Sequence, residues 1–176
     1  MNENIKKWYI VGSVFIILLG TLLHFTYECS GNNTLVGIFS AVNESTWEHL
    51  KLLFWPAFIF SIIEYIFIGK DYNNYITAKA ISFYVGIFLI ISLFYTYTGV
   101  LGDNCLVMDV SIFIISVIIS QYIGYKITTA NSDVSRGVNT ISFIAIVLLV
   151  LSFVIFTFSP PRIPLFKDPI TGGYGI

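Results

Sequence analysis

The chain has 176 residues, of which 56% are hydrophobic and only 11% charged. A water-soluble domain carries about 25% charged residues, so this chain cannot clothe a water-facing surface and takes lipid as its main solvent. Its formal net charge of −1 excludes a nucleic-acid partner, which demands a basic face.

A helix needs about 20 mostly apolar residues to span a bilayer. Five runs qualify: 8–27, 50–69, 78–97, 107–127 and 140–158. The first is too long for a signal-peptide core, and no small-x-small cleavage site follows it, so it reads as the first span. The expected fold is all-α: a five-span transmembrane bundle over 1–158, then a Pro/Gly-rich tail over 159–176. With the N-terminus inside, Lys6, Lys7, Lys70, Lys79, Lys126 and Arg136 face the cytoplasm, and Lys51, Arg162 and Lys167 face out. That bias sets an N-in, C-out topology in the cytoplasmic membrane of a bacterium, with membrane lipid as the surrounding partner.

The connections differ in kind. Segments 70–76 and 128–139 are short polar loops. Segment 29–42 is half apolar, with a turn at Gly31–Thr34 and a short interfacial helix predicted over 35–42. The tail holds Pro160, Pro161, Pro164 and Pro169 and several glycines, which rules out a regular helix. It is expected to dock, ordered, across the outer face, with Arg162 paired to one of the carboxylates there.

Polar chemistry gathers at one end of the spans. Span one closes with His24 and Glu28, four apart and so on one helix face. Span two opens with Asn43-Glu-Ser-Thr-Trp-Glu-His49, where Ser45 and Glu48 form a capping box. Glu44 and Glu48 share one face there, Ser45 and His49 the next. Asp109 opens span four, just after Asp103. Pro56 lies deeper in span two, at a site where a helix kinks. Both histidines of the chain are in this set, and ionisable groups beside a span mark a functional site by default. Imidazole with carboxylate suits a divalent metal such as zinc, iron or manganese, held by His24, Glu28, His49 and Asp109. Glu44, Glu48 and Ser45 are the candidate catalytic groups. Capping, dipole charges and core hydrogen bonds account for each residue singly, but not for their shared depth.

Glu64 and Gln121 lie in the opposite halves of spans two and four. They are read as an interhelical hydrogen bond, to each other or from Glu64 to a tyrosine, with an ion or proton relay as the alternative. Cys29 and Cys105 fall on one side of the membrane, where a bridge and two free thiols are both open.

HFTYE at 24–28, FSAVNESTWEHLKLLFWP at 39–56 and PRIPLFKDPITGGYG at 161–175 resemble a family of small multi-pass bacterial membrane proteins of unknown function. The likeness covers nearly the whole chain and implies no activity. Ser45-x-x-x-His49 and Asp109 are also similar to motifs of the CREST membrane hydrolases, such as alkaline ceramidases, which bind zinc. Here His24-x-x-x-Glu28 stands where those enzymes have a His-x-x-x-His motif, comes first in the chain instead of last, and the spans are fewer. The expected function is a metal-assisted hydrolase or transferase acting on a lipid-type substrate. The alternatives are a non-enzymatic transport or cation-binding protein, and a b-type haem protein ligated by His24 and His49.

Overall fold

The computed structural model describes residues 2–130 and 133–176. It comprises α1 (Asn2–Cys29), the short α2 (Thr34–Gly37), α3 (Thr46–Phe67), α4 (Tyr75–Leu101), α5 (Leu106–Thr128) and α6 (Arg136–Phe158). Among the described residues there is no strand; one isolated bridge pairs Lys167 with Tyr174 in the tail. Five helices, all but α2, are long and apolar enough to cross a membrane, one for each predicted run. Their ends overshoot the runs where polar residues make good caps. Helix α3 starts at Thr46, not at 50, because the Ser45 hydroxyl accepts the Glu48 amide hydrogen at 3.4 Å. The predicted interfacial helix shrinks to α2, capped by Asn33. The chain then runs without helix from Phe39 to Ser45.

Helix α3 is the central element. Of its most apolar window 61% is buried, against 22% for α1 and for α6. It packs on α1 and α4, while α5 leans on α1 and α4, and α6 on α4. Phe54 of α3 anchors the core, stacked on Phe153 of α6 at 4.8 Å and edge-on to Phe83 of α4 at 5.5 Å. The outward faces carry exposed Leu18, Leu22, Phe88 and Ile141. In water each exposed apolar Å² costs about 25 cal/mol; against acyl chains that penalty vanishes. Gly20 lets α1 approach α3 closely, since a Cβ there would collide with the Leu52 carbonyl.

Interhelical contacts define two ends. At the first, Glu64 of α3 pairs with Lys79 of α4 at 2.6 Å, both buried. The Lys79 ammonium also lies 3.9 Å from the Tyr9 ring centroid, and the Tyr9 hydroxyl meets Thr128 at 2.8 Å. This corrects two expectations: Lys79 is an internal cation and not an interfacial one, and the partner of Glu64 is this lysine, not Gln121. At the second end lie the α1–α3 connection, the start of α5 and the tail. The tail folds back on α6 and α3. Phe166 is buried against Trp47 at 4.7 Å and Phe156 at 5.3 Å. The Ile176 amide donates to the Thr157 carbonyl at 3.1 Å, and the Asn43 side-chain amide to the Gly175 carbonyl at 3.1 Å. Arg162 is exposed and forms no ion pair among the described residues, so the predicted Arg162–carboxylate pair does not form. Cys29 and Cys105 are free and exposed.

Candidate functional site

The second end brings both histidines together. His24, one turn from the end of α1, presents Nε2 to Nε2 of His49, on the first turn of α3, at 3.2 Å. Glu44, in the non-helical lead-in to α3, places Oε2 3.4 Å from the same His49 Nε2. One donor atom from each of His24, Glu44 and His49 lies within 4.8 Å of the other two.

The His49 tautomer follows from its other nitrogen. Nδ1 lies 2.9 Å from the Ser45 carbonyl. A carbonyl only accepts, so Nδ1 carries the proton, an arrangement that leaves Nε2 as the metal-binding nitrogen. With His49 neutral in this tautomer, three lone-pair atoms lie within 4.8 Å of one another. A proton on His49 Nε2 satisfies Glu44 as an ion pair; a metal ion satisfies all three donors. The hydrogen bond from His49 holds the Glu44 carboxyl below its ordinary range, against partial burial that acts the other way. Tetrahedral zinc with bonds of about 2.0–2.1 Å sets its ligand atoms about 3.3 Å apart, close to the two separations seen here.

Two of the three, Glu44 and His49, line a cavity of about 560 Å³. Glu44, Thr46 and His49 line it together with Ile90, Phe94 and Thr98 of α4, Ile112 of α5, and Asp103, Asn104 and Asp109. Pro169 and Ile170 of the tail complete the lining. Asp109 accepts hydrogen bonds from the Tyr97 hydroxyl and, at 3.4 Å, from the Asn104 amide.

The predicted site residues therefore separate. His24, His49 and Glu44 come together, and Asp109 lines the same cavity as Glu44 and His49. Glu28 is exposed near the end of α1, outside the three-residue donor group. Glu48 is buried and does not line the cavity; its carboxylate pairs with Lys51 at 2.5 Å. Ser45 acts through its carbonyl and as the cap of α3. Lys51 escaped the sequence reading, which placed it as a flanking charge; its i,i+3 spacing from Glu48 was the available signal. Ser40 also went unnoticed, and nothing in its local pattern marks it.

A family model matches residues 1–176, the whole chain. The chain belongs to the family of unknown function DUF6512. No curated protein and no solved structure matches this DUF6512 chain. Membership agrees with the resemblance carried by the three motifs and assigns no chemistry.

Proposed function

We propose that the protein is a metal-dependent hydrolase or transferase that works on lipid-type substrates at the outer surface of a bacterial cytoplasmic membrane. The carrying observation is the convergence of His24, His49 and Glu44 on one point at the edge of a cavity. Two imidazoles and one carboxylate with an open fourth position form a catalytic zinc set, and equally the face that holds non-haem iron. Such a site supplies Lewis acidity and an acidified water. Asp109, which lines the same cavity, would take the proton. Glu48 and Ser45 support the site from outside the cavity.

The cavity limits the substrate. Its charged lining is Glu44, Asp103 and Asp109, with no lysine or arginine. A phosphate ester would meet like charge there, so an acyl link in a neutral or amine-bearing lipid is favoured. Its apolar wall on α4 and α5 suits an acyl chain.

Orientation rests on the exposed cations. With Lys51 and Lys79 buried in ion pairs, Lys6, Lys7, Lys70, Lys126 and Arg136 remain at the Glu64 end, and Arg162 and Lys167 at the histidine end. This bias favours N-in, C-out and an outward-facing site, with the tail over its mouth. Haem ligation is disfavoured. Two imidazoles on opposite sides of an iron hold their nitrogens about 4 Å apart, with a porphyrin between them, and here they are 3.2 Å apart.

Elemental analysis of the purified full-length protein tests the reading. One equivalent of zinc or iron is expected, lost on His24→Ala, His49→Ala or Glu44→Ala. A metal-free, properly folded wild type after loading with zinc, iron or manganese would sink it.

A further inference from the structure

Four residues before Glu44, the chain is fastened from two sides. Ser40 is fully buried. Its hydroxyl donates to the Leu23 carbonyl and accepts the Tyr27 amide hydrogen and the Thr26 hydroxyl, both at 3.0 Å. Leu23 and Tyr27 are the two ends of one i→i−4 step of α1, the step that contains His24. On the other side, the Lys51 ammonium donates to the Gly37 carbonyl at 2.9 Å, to the Ser40 carbonyl at 3.4 Å and to Glu48 at 2.5 Å. Glu48 Oε2 in turn accepts the Val42 amide hydrogen at 3.1 Å. Lys51 and Glu48 are both almost wholly excluded from solvent.

A buried ion pair is weak evidence for stability, because desolvation consumes most of the Coulomb gain. This pair spends its hydrogen bonds on three backbone groups of one short segment, the Gly37 and Ser40 carbonyls and the Val42 amide. That segment lies in the connection from α1, which bears His24, to α3, which bears His49, and Glu44 follows it after Asn43.

We infer that Lys51, Glu48 and Ser40 form a positioning frame that holds Glu44 and His24 at His49, so that the metal set proposed above is assembled before any ion arrives. The inference rests on that metal centre for its purpose but not for its geometry. Glu48 is thus a positioning residue, with no part in proton transfer to substrate.

The test uses the full chain in detergent or bilayers and the double variant Glu48→Gln/Lys51→Met, which removes both charges together and leaves neither buried alone. Zinc affinity by chelator competition is expected to fall at least tenfold, as for other groups that orient metal ligands, and the visible spectrum of the cobalt-loaded protein to change. The charge-swapped Glu48→Lys/Lys51→Glu restores an ion pair but not the bonds to Val42 and Gly37, and is expected not to recover affinity. A second readout needs no metal. With Cys29 and Cys105 replaced by serine, His24→Cys/Glu44→Cys is bridged with dibromobimane, and bridging is expected to slow several-fold when the frame is removed. Unchanged affinity, cobalt spectrum and bridging rate in the frame variant overturn the inference. A wild type that binds none of zinc, iron and manganese overturns the proposed function instead, and the bridging rate alone then decides the frame. If the double variant fails to fold, Ser40→Ala, which changes no charge, is read in the same way.

Discussion

The two ends of the bundle hold ionisable groups in opposite settings, a buried pair at one and an exposed carboxylate with two half-buried imidazoles at the other. At one end Glu64 and Lys79 neutralise each other at 2.6 Å under the Tyr9 ring, sealed inside the protein. At the other, two imidazoles and a carboxylate point at one another beside a cavity of about 560 Å³, with no cationic side chain among them. The first pairs an ammonium with a carboxylate, although Glu64 Oε1 has no hydrogen-bond partner among the described residues. The second is joined either by a proton on His49 Nε2 or, in the reading proposed above, by a metal ion. Buried charge alone does not identify a site; the reading proposed above rests on three metal-ligating groups that converge beside a cavity.

The contrast predicts a double dissociation. His49→Ala should abolish metal binding, by a hundredfold or more in affinity, while shifting thermal stability little. Lys79→Ala should leave Glu64 buried and alone, costing about 3–5 kcal/mol of stability, while the surviving folded protein binds metal as before. Metal titration and thermal melts of both variants check this. A Lys79→Ala protein that folds well but has lost its metal would join the two ends into one functional path and favour the transport reading.

Next in size is the helix contact beneath the histidines. Gly20 sits one turn before His24, and a side chain there meets the Leu52 backbone and Phe113. Gly20→Val should drive α1 from α3, destabilise by about 1–3 kcal/mol and weaken metal binding by separating His24 from His49. Gly99, with no heavy atom near its Cβ position, is the control, and Gly99→Ala should leave both readouts unchanged.

The tail comes third. Deleting residues 160–176 removes the Phe166 ring from Trp47 and Phe156. Loss of a buried phenyl costs about 3–5 kcal/mol at most in a core, and this one sits at the edge. A lowered melting temperature is expected, together with faster metal exchange, because the cavity loses Pro169 and Ile170 from its lining. Unchanged melting and exchange would reduce the tail to a passive covering.

How far the sequence alone reaches is instructive at particular residues. The five spans are legible because lipid imposes long apolar runs. The histidine pair is legible because both residues sit on helices at one depth, where periodicity sets side-chain direction. The third donor was not. Glu28 shares a face with His24 by spacing, yet it lies a turn further out and is exposed. Glu44 precedes α3, so its direction follows from the fastened 37–42 segment, which no periodicity encodes. Lys51 and Lys79 read as flanking cations by position. Each is internal because an acid waits for it, one within its own helix and one across the α3–α4 connection.

The smallest predicted effect concerns acid. Asp168 is buried beneath the tail. Burial pushes its carboxyl up, but the Thr171 hydroxyl at 2.5 Å and the Ile170 amide at 3.0 Å, with the backbone amides of Thr171 and Glu44, outweigh it and hold the group below the ordinary aspartate range. A carboxyl depressed in the folded state contributes stability above its unfolded pKa and loses it as pH falls through the folded value. Tail docking should therefore be flat from neutral pH down to about pH 4 and weaken below that. Asp168→Asn keeps an acceptor but not the charge. It should lower docking by about 1 kcal/mol at neutral pH and flatten the acid limb. Trp47 fluorescence reports the contact, since its ring packs on Phe166. Glu44 titrates in the same region, its carboxyl held down by His49, so the comparison is made in a Glu44→Gln background. An acid limb that persists in Asp168→Asn/Glu44→Gln would assign it to another carboxylate and remove Asp168 as the latch of the tail.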